Sequence, residues 1–383
     1  LLSSFATAGE WSGYFAQETR LFTQSPAYSG QENENLSLVF RPEYFHEWTD
    51  RREAISIKPF IRLDQHDDRR THIDLRELYW EKVFKKAELR VGIDTVFWGT
   101  TESVHLVDII NQTDLVDRVD GEAKLGQPMI NLSFIRSWGT LDLFALPGFR
   151  ERTFPGESGR FRPPIPIDTD SARYESSAEE LHVDWAIRWE HSLGNWDVGL
   201  SHFFGTNREP QLLLRPAEFR SLNLVPYYDQ IHQTGLDAQY TRGGWLWKLE
   251  SIVRSGQEET FAALVGGFEY TFYGVWGGAA DVGVLAEYQY DERGMDGLSP
   301  FDNDLFLGTR IALNDTQSSD LLLSTIIDLD TAGTIVSLEA SRRLGSDWRL
   351  SVEARAFVGL AEDDPAYWFG KDDYVQVELA WFF

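Results

Sequence analysis

Apolar and polar side chains alternate with a period of two along almost the whole chain, and this limits what the chain can fold into more than any other feature. Leu181, Val183, Trp185, Ile187 and Trp189 are interleaved with His182, Asp184, Ala186, Arg188 and Glu190. A strand there has one purely apolar face and one mostly ionisable face. The pattern recurs in segments of about 9 to 12 residues, the length a tilted strand needs to cross a bilayer. A water-soluble sandwich hides its apolar faces in a thin core, whereas here nearly every segment carries a full apolar row. The expected fold is therefore all-β: a single closed antiparallel transmembrane β-barrel spanning residues 1–383.

Strands are expected near residues 10–22, 34–45, 54–64, 74–84, 88–97, 129–136, 140–146, 179–191, 196–204, 231–241, 245–254, 261–273, 281–290, 304–313, 321–329, 335–343, 348–358 and 373–383. That is about 18, an even number, as single-chain bacterial barrels have. Tight hairpins are expected at Thr49-Asp50-Arg51-Arg52, Lys85-Lys86, Trp138-Gly139, Gly194-Asn195, Gly243-Gly244 and Gly345-Ser346-Asp347. Most of the connections between them are long, at residues 23–33, 98–128, 147–178, 205–230, 292–303 and 359–372, with short exceptions at 256–259 and 330–333. Short periplasmic turns and long outer loops in this phase put both termini on the periplasmic side.

Composition removes other classes. Lys+Arg 35 against Asp+Glu 61 gives a net charge of -26, which repels phosphates and argues against a nucleic-acid partner. With no cysteine there is neither disulfide nor thiolate chemistry. No secretory leader is visible at Leu1, as in a cytosolic chain or a processed one. Aromatic residues make up 14% of the chain, and Trp11, Phe15, Trp185, Trp189, Tyr288, Tyr290, Trp348 and Trp381 fall on outward positions or strand ends, where interfacial girdles form. In the last strand Val375, Val377, Leu379, Trp381 and Phe383 form the outward series. An alternating strand ending in an aromatic residue resembles the signal read by the bacterial barrel assembly machinery, which is thus an expected partner.

If the apolar face meets lipid and lipopolysaccharide, the other face lines the lumen. Basic residues expected there are Arg20, Arg41, Lys58, Arg62, Arg90, Arg188, Lys248, Arg254, Arg310, Arg343, Arg349 and Arg355. The acidic set includes Glu77, Asp94, Asp184, Glu250, Glu269, Glu339 and Glu353, together with Glu18, Asp237, Glu287 and Glu378. Such interleaved charges suit either a polar path with a weak preference for cations or an occluded, salt-bridged interior. Residues 98–128 are too long and too apolar to extend freely into solvent. They are expected to fold inward, with a short helix near residues 104–110, and to narrow the pore through Trp98, Asp108, Asn111 and Asp114; the alternative is an outer lid packed on neighbouring loops.

Catalysis is not expected. In His191-Ser192 and Ser201-His202 the neighbours point to opposite faces, and His182 and Asp184 share a face with no serine. Carboxylates at Asp67-Asp68, Asp168 and Asp170, Asp291-Glu292 and Glu362-Asp363-Asp364 lack the spacing of a calcium loop. A metal held by His66 and His72 is disfavoured too, so neither metal nor cofactor is expected.

One stretch resembles a known family. Leu75-Arg76-Glu77-Leu78-Tyr79, Leu89-Arg90-Val91-Gly92, Trp98-Gly99, Leu106-Val107-Asp108-Ile109-Ile110-Asn111 and Asp114-Leu115 are similar to a pattern in proteobacterial outer-membrane barrels distantly related to the alginate-export porin. The resemblance covers roughly the first 150 residues. It implies an outer-membrane channel or exporter whose loop after the tryptophan folds against or into the barrel. An exporter of polyanions needs a strongly basic lumen, however, and the lumen expected here is mixed and slightly acidic. The alternative function is a plugged barrel that scaffolds or binds a partner, for instance on the periplasmic side.

Overall fold

The computed structural model describes residues 9–48, 51–216, 222–257, 259–294, 297, 299 and 301–383. In chain order the strands are β1 (Glu10–Phe22), β2 (Glu34–Trp48), β3 (Glu53–Asp64), β4 (His72–Val83), β5 (Ala87–Asp94), β6 (Gln127–Arg136), β7 (Gly139–Pro147), β8 (Arg173–Tyr174), β9 (Val183–Leu193), β10 (Trp196–Thr206) and β11 (Gln211–Pro216). They continue with β12 (Leu222–Tyr228), β13 (Gln230–Arg242), β14 (Trp245–Ser255), β15 (Phe261–Phe272), β16 (Asp281–Asp291), β17 (Asn303–Ala312), β18 (Asp320–Asp328), β19 (Thr334–Leu344), β20 (Trp348–Val358) and β21 (Tyr374–Phe382).

Eighteen of these form one antiparallel sheet that closes on itself, because β21 pairs with β1 over Tyr14↔Phe382 to Phe22↔Tyr374. Closure satisfies every ladder and leaves no sheet edge, the condition for strands in hydrocarbon. The apolar rows face outward: Phe15, Leu38, Trp185, Leu200, Trp247, Leu307 and Leu379 are all exposed. Exposed tryptophans gather at the short-turn end, where Trp11, Trp138, Trp196, Trp245, Trp348 and Trp381 form a belt. An amphipathic indole suits a boundary between lipid and water.

The turns at that end are tight because glycine supplies the positive φ that two-residue hairpins need. Gly194 (φ 68) and Gly243 (φ 62) do this between β9 and β10 and between β13 and β14. Between β6 and β7 the turn residues are Ser137 and Trp138, one position earlier than expected, since Arg136 pairs with Gly139. Thr49 and Asp50 of the expected turn at 49–52 lie outside the described residues, as do residues 217–221 of the loop expected at 205–230.

Two features depart from simple alternation. The β3–β4 register shifts between Lys58 and Pro59, so that Lys58 opposes Glu77 while Pro59 opposes Leu75. Arg76 is the unopposed residue, and both it and Glu77 are buried; proline has no N–H for the ladder, and the bulge forms beside it. At the long-loop end, β11 and β12 pair antiparallel and β12 runs parallel to β8, building a second, three-stranded sheet out of the two long outer loops. Tyr228 ends β12 fully buried, its ring 5.4 Å from Tyr174 and 4.8 Å from Phe149.

Candidate functional site

Strand register turns the expected charged residues inward, opposite the exposed apolar rows, and the interior pairs most of them. On the β1–β5 wall, Lys58 lies 3.0 Å from Glu77, Arg62 bonds Glu18 at 3.0 Å and Asp117 at 2.5 Å, and Arg90 bridges Glu81 and Asp94 at 2.5 Å each. Arg20 donates to Gln376 at 2.8 Å, while Arg41 Nε has no hydrogen-bond partner among the described residues. Across the barrel, Arg188 forks onto Asp237 at 2.7 and 2.9 Å, Asp184 holds Arg208 at 2.7 Å, and Arg254 holds Glu209 at 2.8 Å. On β15 to β20, Arg310 sits 4.0 Å from Glu269, Glu353 lies 3.9 Å from Arg118 and from Arg355, and Glu339 is 3.9 Å from Arg118. Arg349 is exposed near the short-turn end and donates to Ser341 at 2.6 Å. Buried pairs of this kind contribute little net stability, yet removing one partner strands the other charge.

Residues 95–126, between β5 and β6, fold into the barrel. β5 stops at Asp94, three residues before the expected end, because Thr95 N–H donates to Asp94 and Val96 N–H to Asn111 Oδ1 at 2.8 Å. Trp98, Val107, Ile109 and Ile110 form a buried apolar cluster with Phe144, Leu146, Phe203, Ile231 and Ile252 of the wall. Gly235 on β13 leaves room for Val107, whose Cγ1 would lie 3.0 Å from an added Cβ. Two wall carboxylates then latch the segment. Glu250, fully buried, accepts from Thr100 N at 2.7 Å, Thr101 N at 3.0 Å, Thr101 Oγ1 at 2.7 Å and Val107 N at 3.2 Å. Glu287 accepts from Glu102 N at 2.8 Å, Ser103 N at 2.9 Å and Ser103 Oγ at 2.6 Å.

This latch explains why the helix expected at 104–110 is missing. In a helix over 104–110 the Val107 N–H would make the first intrahelical bond; here it donates to Glu250, and the segment consists of turns and bends. The four residues expected to narrow the pore are buried and tie the loop to itself, to the wall and to a neighbouring loop. Asn111 accepts from Val96 and donates to the carbonyls of Asp94 and Leu125. Asp114 holds Arg76 and Thr153, and Asp108 holds Lys124 at 3.1 Å. Trp98 packs 5.7 Å from Phe144 and borders a 590 Å³ cavity beneath the loop, toward the short-turn end.

Two further spaces flank the loop tip. One, about 480 Å³, lies against β1 to β4 and β21 and is lined by equal numbers of basic and acidic side chains, six of each. The other, about 670 Å³, lies against β17 to β20. Arg118, Val119, Asp120 and Glu122 border both, so the tip is the partition between them. Burial alone would raise the Asp120 pKa, but Arg118 at 2.6 Å outweighs this and holds it below the usual carboxylate range. His105 sits between Glu122 (3.4 Å) and Glu250 (3.8 Å). Burial would lower its pKa, yet the two carboxylates hold it up at about 10.

Several important residues escape the alternation pattern. Arg76 is displaced by the bulge, and Arg118, Arg152, Arg160 and Arg208 come from loops with no period; only their proximity to acid-rich segments could have marked them. The loop carboxylates considered for calcium have protein partners: Asp67 accepts from Gly156 and Arg69, Asp291 from Arg293, and Asp364 from Ala366. In the last strand Val375, Val377, Leu379, Trp381 and Phe383 are exposed outward, and Phe383 stacks 5.6 Å from Trp381 and 6.1 Å from Phe15. Phe382 turns inward, 5.5 Å from Tyr14.

No family model matches the chain, and no curated protein matches it. Among solved structures, a double mutant of Rhodopseudomonas blastica porin is similar at 11% identity and a TM-score of 0.47, covering 98% of this chain and all of that one. A triple mutant of the same porin gives 13% identity and 0.47 over the same coverage. Similarity this low says nothing about what this chain passes or binds.

Proposed function

We propose that this chain is a bacterial outer-membrane channel that passes small solutes past an inward loop. The observation that carries this is the combination of a closed barrel, apolar outside, with water-sized space on both sides of a loop tip lined by charged side chains. An outward apolar row with a tryptophan belt fits a surround of lipid and lipopolysaccharide, and the exposed β21 series fits handling by the barrel assembly machinery. Mostly paired charges around both spaces favour small solutes and weak charge selectivity over export of a polyanionic polymer, which needs an uncompensated basic path. Export against uptake is set by what lies on either side of the membrane, and the barrel serves both.

A second reading has its own observation. The apolar cluster formed by residues 98–110 fills one side of the interior, as a plug does. A barrel stopped in this way would serve to bind or scaffold a partner. Proteoliposome swelling separates the two. Swelling in isosmotic arabinose but not in a large dextran supports the channel, and no swelling in either by a correctly folded barrel supports the scaffold.

A further inference from the structure

We infer that the 670 Å³ space beside β17–β20 is a binding subsite for a solute with one anionic group on an apolar body, a monocarboxylate above all, anchored by Arg152. The inference deepens the channel reading and rests on it for its route of access. It begins with the charges around that space. Among the described residues every carboxylate there has a cation within 4.0 Å: Glu102 has Arg310 at 2.7 Å, Asp120 has Arg118 at 2.6 Å, Glu122 has His105 at 3.4 Å, Glu209 has Arg254 at 2.8 Å and Glu339 has Arg118 at 3.9 Å. Arg118 and Arg355 are used up in the same way.

Arg152 is the exception. Its backbone N–H donates to Tyr228 Oη at 3.0 Å and its Nε to Gln112 Oε1 at 3.4 Å, which fixes the side chain. Its two terminal nitrogens have no acceptor among the described residues, although the residue borders the space. Gln112 beside it is 1% exposed, and its Nε2 also lacks an acceptor. A cationic donor without an acceptor beside open space lacks an anion; an unpaired donor is costly and a carboxylate would satisfy the guanidinium.

The opposite side is apolar. Phe306, Leu322, Ile326, Ile335 and Phe357 take inward positions on four adjacent strands and border the same space. In the β6–β15 wall the inward apolar residues are covered by the loop; here Leu322, Ile326 and Ile335 are half-buried beside the space, with Phe306 and Phe357 buried at its margin. An apolar wall facing a guanidinium that has no ion pair within 4.0 Å among the described residues is complementary to an apolar acid. The volume lies within the usual range for small-molecule sites.

The test is reversible block of KCl current in planar bilayers by acetate, benzoate, octanoate and benzyl alcohol. Benzoate or octanoate should block at concentrations at least roughly tenfold below acetate, since only they cover the apolar wall; which of the two binds tighter tells a ring from a chain. Arg152→Gln should weaken benzoate block roughly tenfold or more and leave benzyl alcohol within twofold, because the charge-assisted bonds are lost. Ile326→Ser should weaken benzoate and benzyl alcohol alike and leave acetate unchanged. Each variant is first matched to the parent by circular dichroism. Benzoate block that is unchanged in Arg152→Gln, or indistinguishable from acetate in the parent, overturns the subsite. Should the folded barrel not conduct, titration calorimetry with benzoate on the detergent-solubilised protein judges the subsite separately: binding that Arg152→Gln weakens upholds it while the channel reading falls, and no heat of binding removes both.

Discussion

Glu250→Gln should release the inward loop while leaving the barrel standing. In the parent, one oxygen of Glu250 accepts from Thr100 N, Thr101 N and Thr101 Oγ1, and the other accepts from Val107 N. The amide is isosteric but carries no charge, and its NH₂ is set against at least one loop donor. Bonds to charged acceptors contribute about 1.5–3 kcal/mol each and are not additive, so a net loss near 3 kcal/mol of docking energy is a conservative figure. If the loop opens as a unit, that loss raises its open population roughly 150-fold. Hydrogen exchange read by mass spectrometry on peptides spanning residues 99–107 should show faster exchange of this order, with strand peptides such as those of β14 unchanged. Glu287→Gln should loosen residues 102–103 by the same logic and to a smaller extent, as it holds a shorter stretch. A change of less than roughly threefold at 99–107 would refute the latch and leave the apolar cluster as the sole holder of the loop.

The remaining predictions concern the same interior. Because Glu122 and Glu250 raise the His105 pKa to about 10, its contribution to docking is complete below the ordinary imidazole value of about 6.5 and is lost as pH rises through about 10. With Asp108 also nearby, current noise from loop motion should grow between these limits and become pH-independent there in His105→Gln. Asp237→Asn should cost about 3–5 kcal/mol in urea unfolding from vesicles, since it strands the buried Arg188 guanidinium; a loss below about 1 kcal/mol would show that water reaches the pair. Phe383→Ala should reduce assembly yield in liposomes more than Phe382→Ala, because only the former removes a ring from the outward stack with Phe15 and Trp381. Equal yields would detach the β21 series from assembly.

Much of the barrel is legible in the sequence because lipid imposes period-two alternation on every spanning strand. Trp185, Ile187 and Trp189 against Asp184 and Arg188 already define both faces of β9, and the same rule places all eighteen strands. It breaks at Pro59, where a ladder without an N–H yields a bulge and turns Arg76 inward beside Glu77. Loops obey no such rule. Length and apolarity show that residues 98–128 must pack against something, inward or as an outer lid, but which of their groups face the wall depends on partners such as Glu250, 149 residues from Thr101. Thus Asp108, Asn111 and Asp114 became internal ties, and the partition passed to Arg118, Asp120 and Glu122. The sheet of β8, β11 and β12 escaped for the same reason: its strands are short, and β12 pairs both with β11 of its own loop and with β8 of another.

The most direct test of the central claim is single-channel recording of the purified, folded barrel in planar bilayers, alongside a variant lacking residues 103–117. The account predicts steady ohmic steps for the parent and larger steps for the deletion, since removing the part of the loop beside Glu250 and Glu287 widens the path past it. A folded parent that never conducts in either polarity, with the deletion equally silent, would contradict the channel and leave a plugged barrel.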